Sequence, residues 1–404
     1  MVRHPLPVRL FNGAGPALRR LPLDLLSLSP DRLIATAVRR AALDDFGPAD
    51  FETGLAVLTR SAERDARLTT IGRLALRQHI LSALNTLLLE EDHRRRRAVE
   101  ADQAEIRPLV IMGLPRSGTT LLHRLLALMP GARGLAYWEV RNPIRPRGRD
   151  RRRQQARRQL ALLDLLAPGF QAMHRVAADD PEECWFLLDS SMTSAAFWLT
   201  APVYGYLDWF LEQDQSAGYA RYRDHLLRFS AERAAERLVL KAPIHTLNPG
   251  LLRQALPRAT IIQTHRDPVA CVNSANSLMR EMQGAVTDHV DRPRLGRANL
   301  DLLSRATARC MADRSGWRDD PVIDVHYDDL VADPLRVVGE ILTRSGEAFS
   351  AEHERRVRRY LLNDPASPPG SHRYRSSDFD LRDDEIRQAF TGYLEQFPRL
   401  VERI

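Results

Sequence analysis

The sequence holds 404 residues, 44% hydrophobic and 27% charged, the proportions of an ordinary globular chain with enough apolar mass for one large domain or two smaller ones. Cys184, Cys271 and Cys310 are odd in number and widely spaced, which excludes a disulfide framework and a zinc knuckle and points to a reducing compartment. A formal charge of +7 favours anionic partners, and because no segment reads as a leader or as an apolar bilayer span, a cytoplasmic location with no membrane span is expected.

In chain order, residues 1–105 read as a helical N-terminal subdomain. Leu76, Ile80, Leu84, Leu87 and Leu88 recur at helical spacing before a polar stop at Glu90 to Arg97. No motif with chemistry falls in this part. From Arg107 the texture changes, with short apolar runs at 108–112, 238–241, 260–264 and 322–326 that alternate with helical patterns and turn residues. That alternation predicts parallel βαβ units, hence an α/β protein with a central parallel sheet, residues 106–404 forming the catalytic domain around a helical insert at about 140–235. The carboxyl end closes with a helix whose Ile386, Phe390, Leu394 and Phe397 share a face. Arginine runs at Arg94 to Arg97 and Arg145 to Arg158 lack interleaved stacking aromatics, so they read as a solvated helix end and face, and no nucleic-acid partner is expected.

The first apolar run leads into Gly113-Leu114-Pro115-Arg116-Ser117-Gly118-Thr119-Thr120 and then a helical Leu121 to Leu126, a strand, loop and helix in succession. Inward amides and the positive end of the helix dipole in such a loop hold a phosphate. Gly113 and Gly118 have the spacing of a nucleotide-triphosphatase loop, yet Thr119 stands where that motif demands lysine. An ordinary ATPase is thereby disfavoured. Arg116 supplies the missing cation, and Ser117, Thr119 and Thr120 add hydroxyls.

Lys241 is the one lysine among 59 lysines and arginines. Arginine keeps its charge at any ordinary pH, whereas lysine can give up a proton, so a site that needs a donor beside a leaving phosphate has reason to prefer it. Lys241 follows the apolar run Leu238-Val239-Leu240, at the carboxyl end of a strand where open α/β sheets place ligands. A second anchor follows the next strand: Asp267 caps and Pro268 begins a helix, which leaves Arg266 at the strand end and Ser274 about two turns along. Both can reach one anion near the sheet edge.

Together these segments resemble the sulfotransferase superfamily, which uses 3′-phosphoadenosine 5′-phosphosulfate, and in particular its bacterial branch related to tyrosylprotein sulfotransferases. Pro115 to Thr120 is similar to the family's 5′-phosphosulfate loop, and Arg266 with Ser274 to its 3′-phosphate pair. The likeness continues at Leu240-Lys241-Ala242-Pro243, at His326-Tyr327-Asp328-Asp329-Leu330 and at His372-Arg373-Tyr374.

The resemblance implies a P-loop-like three-layer fold and a donor co-substrate, 3′-phosphoadenosine 5′-phosphosulfate, with no metal. By it, Arg116, Ser117, Gly118, Thr119, Thr120, Arg266, Ser274 and Tyr327 hold the donor, Tyr374 closes over it, and Lys241 steadies the bridging oxygen. It also implies a base for the hydroxyl acceptor. Glu139 follows the loop helix at nearly the separation of the glutamate base in tyrosylprotein sulfotransferases, and His245 stands as the histidine alternative used by cytosolic relatives. Glu183 is a rival that the capping-box spacing of Asp180-Pro181-Glu182-Glu183 accounts for, and His123 is a further candidate. The aromatic stretch Phe197, Trp198, Tyr204, Tyr206, Trp209 and Phe210 is either core or the wall of an acceptor pocket, and a pocket favours an apolar or aromatic small-molecule alcohol. Two readings compete with sulfonate transfer: a P-loop-type small-molecule kinase and a non-catalytic nucleotide-binding protein.

Overall fold

Among the described residues, five short strands, β1 (Leu109–Gly113), β2 (Ala132–Gly134), β3 (Arg237–Lys241), β4 (Thr260–His265) and β5 (Ile323–His326), form one sheet in the order β2-β3-β1-β4-β5. Every pairing is parallel. The computed structural model describes residues 6–13, 24–96, 106–146, 148–232, 236–317, 322–363 and 375–401. β1 is buried along its whole length, which is why it reads as an unbroken apolar run. Alternate residues of that run face opposite layers. Val110 and Met112 pack with Leu238, Leu240, Tyr222 and Phe229, while Leu109 and Ile111 pack with Leu122, Leu125, Val338 and Ile341. Helices therefore cover both faces, and the architecture is the expected three-layer α/β sandwich.

Strand order positions the site. The chain leaves β1 for β2 and β3 on one side, then crosses to β4 and β5 on the other, so the crevice beyond the carboxyl end of β1 is a topological switch point. Register brings three chemistry-bearing segments to it: Ile111 lies opposite Lys241 on β3 and Ile262 on β4, so the phosphate loop, Lys241 and Arg266 all emerge at one end of the sheet.

The helices Pro30–Ala41, Phe51–Asp65 and Thr70–Arg96 share one apolar core with the insert, in which Leu33, Leu55 and Leu84 meet Phe197, Trp198, Tyr206 and Phe210. Polar contacts fasten the same seam, since Asp65 accepts from the Gly205 amide at 2.9 Å and Thr69 donates its amide to Val286 at 3.0 Å. The aromatic stretch of the insert is thus core, and its pocket alternative fails: Phe197, Trp198 and Tyr206 are fully buried and none of the six rings lines the cavity beside the phosphate loop. The terminal helix expected around Ile386 to Phe397 is broken into Asp383–Ala389 and Thr391–Gln396. The break falls beside Thr391 and Gly392, both weak helix formers, and Ile386, Phe390 and Tyr393 still pack on Val269 and Val272.

Candidate active site

The phosphate loop depends on backbone that glycine supplies. Gly118 has φ +92°, and a Cβ there meets Leu330 and Tyr327 at 3.0 and 3.1 Å. Arg116 has φ +69° without being glycine, and its surroundings hold it there. Its guanidinium donates to Met173 O at 2.8 Å and to Ser274 Oγ at 3.2 Å, while its own carbonyl accepts from Arg266 at 2.7 Å. The Arg266 guanidinium in turn lies 4.0 Å from the centre of the Tyr327 ring, over its face. Arg116, Arg266, Ser274 and Tyr327, far apart in sequence, are thereby one connected group. Gly118, Thr119 and Thr120 join Arg116, Arg266 and Tyr327 in lining a cavity of about 530 Å³.

Ser117 departs from its expected use. Its hydroxyl donates to Leu114 O at 2.6 Å and meets Thr264 Oγ1 at 2.5 Å, facing the core, so this side chain shapes the loop instead of facing the cavity. Tyr374, with His372 and Arg373, lies outside the described residues.

Lys241 ends β3 with its side chain 1% exposed. Its Nζ donates to Glu183 Oε1 at 2.6 Å and to Thr120 Oγ1 at 3.3 Å, which ties the ammonium to the start of the loop helix. Glu183 lines the cavity, accepts from the Trp185 indole, and donates its amide to Glu182 Oε1 at 3.0 Å. Glu182 completes the chain by meeting His174 Nε2 at 3.2 Å. Burial raises the Glu182 pKa, but the adjacent His174 imidazole and the Lys241 ammonium outweigh it, so this carboxyl lies below its ordinary range. Ligand atoms of His174, Glu182 and Glu183 lie within 4.8 Å of one another, with the Lys241 ammonium on Glu183 as the countercharge.

Both bases named from the sequence lie elsewhere. Glu139 is 6% exposed, accepts from Arg133 at 3.0 Å on both oxygens and from the Ala136 amide at 2.8 Å, and does not line the cavity. It fills the capping role that the sequence assigned to Glu183. His245 is fully buried between Tyr219, whose hydroxyl is 2.9 Å from Nδ1, and Cys184, whose Sγ is 3.4 Å from Nε2. Burial holds its pKa at about 3, and it too is absent from the cavity wall. His123 meets Val239 O at 3.0 Å, and burial together with Lys241 depresses its pKa to about 3. The spacing of Asp180 and Glu183 reads as a capping box, which hides the place of Glu183 on the cavity wall. The chain continues from Glu183 into a 3-10 segment, Cys184–Ser191, which leaves the Glu183 carboxylate free to turn towards Lys241. His174 carried no sequence signal.

Among known protein families, the profile of the one described as "Sulfotransferase family" matches residues 108–351. No curated protein matches the chain. Among solved structures, the sulfotransferase STF1 from Mycobacterium tuberculosis is 30% identical with a TM-score of 0.75, over 92% of this chain and 100% of that one. The sulfotransferase STF9 from Mycobacterium avium is 25% identical with a TM-score of 0.78, over 91% of this chain and 96% of that one.

Proposed function

The chain belongs to the sulfotransferase family, and from that premise we propose that it moves a sulfonate group from 3′-phosphoadenosine 5′-phosphosulfate to the hydroxyl of a small-molecule acceptor by in-line transfer. The observation that carries the reading is the buried Lys241 ammonium, 2.6 Å from a carboxylate on the cavity wall and 3.3 Å from the phosphate-loop hydroxyl of Thr120.

In this mechanism the loop amides, the Thr119–Leu126 helix terminus and Arg116 hold the 5′-phosphosulfate, with the hydroxyls of Thr119 and Thr120 beside it. Arg266 and Ser274 take the 3′-phosphate, and Tyr327 backs the Arg266 guanidinium. The acceptor oxygen attacks sulfur, and an oxygen–sulfur bond forms as the bond from sulfur to the bridging phosphate oxygen breaks. The electron pair leaves on the 5′-phosphate of adenosine 3′,5′-bisphosphate, where Lys241 donates a hydrogen bond to the bridging oxygen. Glu183 takes the acceptor proton and releases it to water after product departs. We assign that step to Glu183, not to Glu139 or His245, because of the three only Glu183 lines the cavity.

Between turnovers Lys241 and Glu183 satisfy one another, so neither charge is buried alone. Donor binding gives Lys241 a second anionic partner and frees the carboxylate for the acceptor. The three free cysteines, all buried, support a reducing cytoplasmic setting.

Calorimetry with adenosine 3′,5′-bisphosphate, set against ATP with magnesium, tests the donor assignment. We expect tight binding of the bisphosphate alone. Preference for ATP with magnesium contradicts sulfonate transfer and supports a kinase.

A further inference from the structure

The cavity does not end at the phosphate loop. Beyond Glu183 it runs between four helices, Thr70–Arg96, Arg152–Leu166, Pro268–Gly284 and Arg292–Arg314. Their contribution to its wall is mainly aliphatic, with Leu76, Leu163, Leu278, Met282, Leu302 and Ala306 among the lining side chains. Most polar side chains on these walls are already engaged. His79 bonds Asp189 at 2.9 Å, and Asn299 bonds Asn276 at 2.8 Å and Trp198 at 3.2 Å. Gln159 Oε1 is buried without a partner among the described residues and offers one acceptor.

From this wall we infer that the acceptor hydroxyl is carried on a linear aliphatic chain; the inference rests on the sulfonate-transfer reading above. Three observations decide the class. A polyhydroxylated sugar placed here leaves its hydroxyls against Leu and Met side chains, with almost nothing to replace their water. A planar aromatic needs rings to stack on, and the four helices contribute no Phe, Tyr or Trp to the wall: the lining rings Tyr137, Trp185 and Phe186 gather on one another, and Phe170 meets His174 edge-on. A flexible chain, by contrast, matches adaptable Leu and Met walls. Leu162 lines the cavity and is still 42% exposed, which marks an opening through which such a chain enters.

The test uses the full chain with 3′-phosphoadenosine 5′-phosphosulfate and a homologous series of primary alkanols, beside phenols and free sugars, with bisphosphate release as the readout. Bisphosphate binding is measured separately by calorimetry. We expect kcat/KM to rise by about threefold to fourfold per added methylene, then to level off where the chain fills the cavity. Ala306→Phe should bring that plateau to shorter chains. Leu278→Ala should move it to longer ones, so the inference stays testable if the bulkier variant misfolds. Bisphosphate binding combined with turnover that ignores chain length, or that favours phenols or sugars, overturns this inference alone. Failure to bind the bisphosphate overturns the sulfonate-transfer reading and this inference with it.

Discussion

Glu183 and Glu139 are both glutamates close to the loop helix in sequence, but their partners set them different tasks. Glu183 faces a lysine ammonium and a cavity, and Glu139 faces a buried guanidinium and a backbone amide. Glu183→Gln should therefore lower kcat by about a hundredfold to ten-thousandfold, the range expected when a general base is lost, with bisphosphate affinity within a few-fold of the parent. Glu139→Ala should instead cost about 1–3 kcal/mol of folding stability, because Arg133 loses its buried carboxylate partner and keeps only Glu236 and the Phe229 carbonyl, while kcat per folded molecule stays near that of the parent. Steady-state kinetics alongside urea unfolding of both variants checks the pair of outcomes. Interchanged results would return the base role to Glu139. At this scale the sequence was uneven. A solitary lysine is visible by composition alone, but the destination of a carboxylate depends on what folds against it, and spacing cannot separate a capping glutamate from a base.

The phosphate loop and the strands flanking it are the elements that hold these residues in register. Gly118→Ala forces a Cβ onto a backbone at φ +92° and against the Tyr327 ring at 3.1 Å, so it should weaken bisphosphate binding by about tenfold or more. Titration of the variant checks this, and unchanged affinity would show that the loop does not grip the nucleotide.

Burial on either side of the sheet adds a pH dependence. His123 and His245 have pKa values near 3 in the fold, against an ordinary 6.5 in the unfolded chain. The unfolded chain therefore takes up protons first as pH falls. The stability these neutral histidines contribute is complete above 6.5 and is lost progressively towards 3. Near pH 5 the loss should be about 2 kcal/mol for each, seen as a lower urea midpoint than at neutral pH. A midpoint that rises on acidification would mean that these histidines are charged in the fold.

Four of the five strands were legible as apolar runs: β1, β3 and β4 are buried on both faces, which leaves little polar alternation, while β5 alternates buried Ile323 and Val325 with half-buried Asp324 and His326. β2 was not, since Ala132-Arg133-Gly134 carries no apolar pattern and is held as a strand by its pairing with β3. The aromatic stretch of the insert was ambiguous for a related reason: ring content signals burial without saying whether protein or ligand supplies the neighbour.

At the scale of the whole molecule, the leading helices and the insert form one core, and the cavity wall draws on both together with the helices that follow β4 and precede β5. A chain beginning at residue 106 should accordingly expose Phe197, Trp198 and Tyr206 and fail to fold cooperatively, as circular dichroism during thermal unfolding would reveal. A sharp transition in that fragment would make the leading helices an independent attachment. The α/β class with a parallel sheet was readable from alternating runs, whereas this shared core was not, because its contacts join segments more than a hundred residues apart. All of these layers converge on one ammonium at the end of β3. The most direct test is Lys241→Ala, with kcat measured beside the dissociation constant for adenosine 3′,5′-bisphosphate. The account predicts a fall in kcat of about a hundredfold or more with bisphosphate affinity changed only a few-fold, the mark of an interaction realised in the transition state. Equal losses in turnover and affinity, or full turnover without the ammonium, would contradict it.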